Sequence, residues 1–147
     1  MRAELNPLLR QQADLIRIYP DSPCTVKKDV LTWRGPLQPT PLSAEYIVVV
    51  KLPLGKSPQV RVVKPKLRKR NGKKPPHLYP NWLLCLYYPK HREWDSDMLL
   101  TETILPWASE WLMHYELWHV DEDWHGGGIH PQLKKRPKRK NPLATED

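Results

Sequence analysis

The chain has 147 residues, a formal charge of +8 and 39% hydrophobic residues, enough for one domain around a single core. No stretch is long and apolar enough to span a membrane as a helix. The first twenty residues, MRAELNPLLRQQADLIRIYP, are broken by charges and so do not read as a secretion signal; a cytoplasmic location is expected. The positive charge is concentrated. Residues 64–74 hold seven basic side chains and residues 134–140 six more, with no acid in either run. The other 11 basic residues face 16 acidic ones, so the body is acidic and the basicity belongs to one loop and one tail.

Apolar positions at three- and four-residue steps predict a helix over 4–17, with Leu5, Leu8, Leu9, Ala13 and Ile16 inward and Gln11, Gln12, Asp14 and Arg17 outward. Pro20 and Pro23 end it. Three strands follow. The first lies near 25–34 and runs into Gly35-Pro36. The second, 44–52, is β-branched and apolar enough for a central strand covered on both faces. The third, 59–63, alternates and stops at Pro65. Turn signals separate them, giving an antiparallel meander.

Residues 65–81 are rich in Pro and Lys and read as irregular. A short apolar run, 82–88, contains Cys85 and is bounded by Pro80 and Pro89. A long helix is expected over about 97–119, with Leu100, Ile104, Trp107, Trp111, Tyr115 and Trp118 on one stripe. Pro106 requires it to start at 105 or to kink. Residues 124–131, WHGGGIHP, follow an acidic turn, and the tail from 132 is too poor in apolar residues to fold. Helices set apart from a run of strands make an α+β fold, with residues 1–131 as the domain and 132–147 as a disordered basic tail.

The residue with the most chemical potential is Cys85. A cysteine between two leucines commonly packs as a small hydrophobe. Cys85, however, follows a long irregular stretch, where rigid scaffolds place reactive groups. His77 and several cations nearby are of the kind that favour thiolate. Cys24, beside Pro23, reads as an inert packing residue, and the wide spacing of the two cysteines suits neither a metal pair nor, in a reducing compartment, a disulfide. His119, His125, His130 and Asp121 match no standard zinc spacing. Gly126-Gly127-Gly128 lacks the Lys-Ser/Thr and the strand–helix context of a phosphate loop. Neither a metal nor a cofactor is expected.

The order of elements, with Trp33-Arg34-Gly35-Pro36, Leu84-Cys85-Leu86 and Trp94, resembles the ubiquitin-conjugating enzyme (UBC) fold over about residues 4–119. Three further segments sharpen this: HLYPNWLLCLYYP (77–89), TILPWASEWLMHYELW (103–118) and WHGGGIHP (124–131). They are similar to the stand-alone conjugating-enzyme-like proteins of bacterial CBASS antiphage operons, encoded beside cGAS-like nucleotidyltransferases. The resemblance implies a thioester carrier with Cys85 as nucleophile and the nucleotidyltransferase's C-terminus as acyl donor. His77 stands where the family's His-Pro-Asn has its Asn. It could donate a hydrogen bond to the oxyanion formed on acyl transfer, or brace the loop. Trp94-Asp95-Ser96 replaces the family's Trp-x-Pro. In the family an acidic residue beyond the cysteine helps to deprotonate an attacking lysine. Asp121 and Asp123 are candidates for that role, although such clusters are commonly solvated turns.

Two other functions fit less well. A nucleic-acid-binding module would use both basic runs on phosphates, but neither run contains an aromatic side chain for base stacking. A catalytically inactive docking protein of the same fold would not require Cys85 to stand in register.

Overall fold

The computed structural model describes residues 6–87 and 93–124. Helix α1 (Pro7–Ile18) is started by Asn6, whose side chain accepts from the Leu8 N–H at 2.8 Å, with Pro7 at the first helical position, where a missing N–H costs nothing. Its inward face is Leu8, Gln11 and Leu15, while Leu9, Ala13 and Ile16 face solvent. The expected stripe is therefore rotated, because Gln11 is buried as a backbone clamp. Its amide donates to Met98 O at 2.7 Å and its carbonyl accepts from Leu100 N at 2.9 Å. A polar residue with both ends satisfied is as good a core residue as a leucine.

Four antiparallel strands follow in the order β1-β2-β3-β4: β1 (Cys24–Lys27), β2 (Val30–Leu37), β3 (Tyr46–Pro53) and β4 (Gln59–Lys64). The single strand expected near 25–34 is in fact a hairpin. Lys27 pairs with Val30 across Lys28 and Asp29, both at positive φ, the geometry of a tight primed turn. Lys-Asp is not the usual sequence for such a turn, which is why it reads as continuous strand. Gly35-Pro36 lies inside β2, not at a turn. Gly35 is required there because the Trp33 ring lies over it, so that a Cβ would fall on the ring and on Ser22.

β3 is central, as expected, but is buried on one face only: Tyr46, Val48, Val50 and Leu52 point to the core and Lys51 to solvent. Leu31, Trp33, Val60 and Val62 complete the sheet's inner face.

Helix α2 (Ile104–Asp121) packs on that face through Ile104, Leu105, Ala108, Trp111, Leu112, Tyr115 and Trp118. It starts late enough to place Pro106 in the first turn, so there is no kink at that residue. Residues 97–103 form turns instead, held by Thr103 N to Leu99 O at 3.1 Å. Among the described residues this is an α+β fold of two helices and one antiparallel sheet, and no helix is long and apolar enough to cross a membrane. The Gly-rich segment from 125 and the basic tail lie outside the described residues.

Candidate functional site

The segment 77–87 leaves the irregular loop, turns, and runs back along the edge of β4. Leu78 pairs with Leu84, Tyr79 N donates to Leu83 O at 2.8 Å, and Cys85 N donates to His77 O at 2.9 Å. The tip is a short 3-10 turn, Pro80–Trp82, in which Asn81 and Trp82 are both at positive φ. The returning arm is tied to β4 by the Arg61–Leu83 bridge and by Leu84 N to Val60 O at 2.9 Å.

Strand alternation then sets the side chains. Leu84 and Leu86 are buried in the core, while Leu83, Cys85 and Tyr87 point outward and stay partly exposed. The thiol expected to react is thus held on the outer side of a hydrogen-bonded ribbon and not inside the core. The cleft beside it, about 560 Å³, is lined by Lys56, Ser57, Pro58 and Gln59 from the β3–β4 connection and by Tyr79, Leu83, Leu84 and Tyr87.

Tyr79 sits diagonally across the ribbon from Cys85, on the same side. Burial first, and then the thiol as a hydrogen-bonding partner, push Tyr79 up to about 12. The group therefore remains a donor throughout the neutral range. Burial also raises Tyr87, with Ser57 opposing it. Sequence reasoning missed Tyr79 as a site residue. The signal was its position two residues from His77, which places both on one face of an extended arm opposite Cys85.

His77 lies directly across from Cys85 with φ +58. Its backbone carbonyl accepts two hydrogen bonds, from Cys85 N and from the Trp111 indole at 3.1 Å. Its imidazole packs edge-on against Trp124, with centroids 5.4 Å apart. Trp124 in turn packs on Trp111 and His114 of α2. The fold therefore brings Cys85, His77 and Tyr79 together and anchors them to the long helix through one carbonyl and one aromatic cluster.

Asp121 ends α2 and its carboxylate accepts from Asp123 N at 2.9 Å. The turn they form leads into Trp124 and so toward His77. Glu122, the left-handed cap, pairs with Arg70 at 2.8 Å. Arg68 N and the Arg70 guanidinium bond Tyr115 and His119 of α2, so the basic loop is fastened to the end of that helix.

Trp94 packs at the core and donates to Thr103 at 3.0 Å. Cys24 is half-buried and burial pushes its thiol to about 11, which suits a packing role. Among the described residues no three His, Cys, Asp or Glu side chains gather as a metal site would require; His125 and His130 lie outside those residues.

Residues 11–131 match the family model described as Type II CBASS E2 protein. No curated protein matches the chain.

Proposed function

The chain belongs to the family of Type II CBASS E2 proteins, and from that premise we propose that it is a thioester carrier of ubiquitin-conjugating-enzyme type with Cys85 as its nucleophile. The Cys85 thiolate attacks an activated acyl carbon, a sulfur–carbon bond forms, and the activating group leaves. The thioester then passes its acyl group to an amine or to another thiol. The acyl donor is the C-terminus of a cGAS-like nucleotidyltransferase, and its conjugation regulates antiphage cyclic-oligonucleotide signalling.

The observation that carries this reading is the outward placement of Cys85 on the returning arm, between Leu83 and Tyr87, which line an open cleft. The element order supports a UBC-like arrangement of residues 1–131: helix, antiparallel meander, cysteine segment on the sheet edge, then a long helix. His77 takes the position of the family's Asn. Its carbonyl braces the loop, and its imidazole is the candidate oxyanion donor. Replacement by Gln, which keeps an N–H donor, should then preserve more transfer activity than replacement by Ala.

The decisive test mixes the protein with the nucleotidyltransferase and its activating system, and reads non-reducing gels and intact mass. A covalent adduct released by added thiol is expected, and Cys85→Ala should abolish it. An adduct that survives in Cys85→Ala would sink the proposal.

A further inference from the structure

Against the Pro80–Trp82 turn lies a second cleft, about 470 Å³, lined by Arg61, Lys66, Leu67, Lys69, Asn81 and Trp82. Lys74 adds a fourth cation, its ammonium 5.1 Å from the centre of the Trp82 ring. No carboxylate lines this cleft. Arg61, Lys66, Lys69 and Lys74 form no ion pair among the described residues, whereas Arg70 in the same loop does.

Four cations held around one indole repel each other, and Trp82 keeps its place at φ +63, which costs a bulky residue about 1 kcal/mol or more. Such a site stores strain and unmatched charge together. We infer that it binds an acidic, extended peptide segment of the protein that delivers its C-terminus to Cys85. This rests on the carrier reading above and names how that carrier holds its partner.

Two features favour a peptide over a nucleic acid. One face of Trp82 is already covered by Lys74, which leaves only the other for a stacked base. The cleft also adjoins the candidate site through shared lining residues. A furrow of about 210 Å³ shares Arg61 with it, and shares Gln59 and Leu83 with the cleft beside Cys85. Trp82 precedes Cys85 by three positions, about 10 Å of extended chain. A peptide anchored by its carboxylates on Lys66 and Lys69 therefore needs only three or four further residues to reach the thiol. Val49, Val63 and Leu83 supply an apolar floor for them.

The test uses full-length Cys85→Ala, so that binding is read without chemistry. The probe is a fluorescein-labelled peptide of alternating Glu and Leu, followed by anisotropy across a salt titration. A single-stranded oligothymidine and a Gln-for-Glu peptide serve as comparisons. The acidic peptide should bind in a salt-sensitive way, and Lys66→Ala with Lys69→Ala should weaken it about tenfold. Arg10→Ala with Arg17→Ala, both exposed on α1 and lining none of these clefts, should leave it unchanged. All variants are exposed-site changes whose folding circular dichroism verifies, and Arg61→Ala provides an independent second loss.

Equal binding of the Gln peptide, or equal loss in both double variants, would overturn the inference. So would oligothymidine binding more tightly and depending on Lys66 and Lys69, which would reassign the cleft to nucleic acid. A protein that binds the peptide but forms no adduct would overturn the carrier reading alone.

Discussion

Replacing Tyr79 with Phe removes the hydroxyl that lies against Cys85 and leaves the ring. A neutral hydrogen bond contributes about 0.5–1.5 kcal/mol. Tyr79 is 43% exposed, so water replaces part of what is lost, and about 0.5–1 kcal/mol is the appropriate scale. An O–H donor stabilises the charge on sulfur as it reacts, so this corresponds to a two- to five-fold change in the rate of that reaction, at about 1.4 kcal/mol per tenfold. The assay is the rate of alkylation by iodoacetamide at a fixed pH, read at Cys85 and at Cys24 by peptide mass mapping. Tyr79→Phe should react about two- to five-fold more slowly at Cys85 and at an unchanged rate at Cys24. Equal rates at Cys85, or an equal fall at Cys24, would refute the role given to Tyr79.

Three further outcomes follow from the same geometry. Gln11→Ala leaves the buried Leu100 N–H and the Met98 carbonyl without their partner; it should cost about 2–4 kcal/mol in urea unfolding, against under 1 for the exposed Gln38→Ala. Trp111→Phe keeps a smaller aromatic ring but removes the donor to the His77 carbonyl; the Cys85 amide, bonded to the same carbonyl, should exchange hydrogen faster while the β3 amides do not. Burial, and then the Arg68 charge, lower His119 from 6.5. The unfolded chain therefore takes up the proton first, and stability that is complete above about pH 6.5 should fall as pH drops below it. Thermal scans between pH 5 and 8 should show that slope reduced in His119→Gln.

Where burial follows hydrophobic period, the sequence was a good guide: the alternation of β4 and the α2 stripe turn their apolar positions to the core, whereas β3, expected to be covered on both faces, is buried on one. It misled wherever a polar group or a turn took over. Gln11 displaced Leu9 and Ile16 from the buried face of α1 because its amide closes two backbone hydrogen bonds. Lys28-Asp29 makes a tight turn without Gly or Asn. Gly35-Pro36, a turn signal by composition, belongs to a strand because a tryptophan ring needs the room. Each is a tertiary contact overriding a local preference, and a single sequence does not display such contacts.

The site divides along the same line. The sequence singled out Cys85 by its flanking leucines and register, and His77 by its place before the cysteine, where the resembled family keeps its Asn. What was not legible is that His77 is tied in through its main chain. Trp111 of α2 and Cys85 meet on one carbonyl, and the imidazole is turned toward Trp124. Backbone acceptors carry no residue identity, so a substitution from Asn to His at this position says little about whether the loop keeps its brace. Nor did the sequence pair Trp82 with the basic run, since it lies outside residues 64–74. The fold places it there by turning the chain at Asn81, and that turn makes one continuous surface of what read as an electrostatic tail-like loop and a separate cysteine segment. The candidate nucleophile therefore lies on the returning arm of the ribbon whose tip, Trp82, meets the cations of β4 and the basic loop, and a change in the turn at Asn81–Trp82 should alter both together.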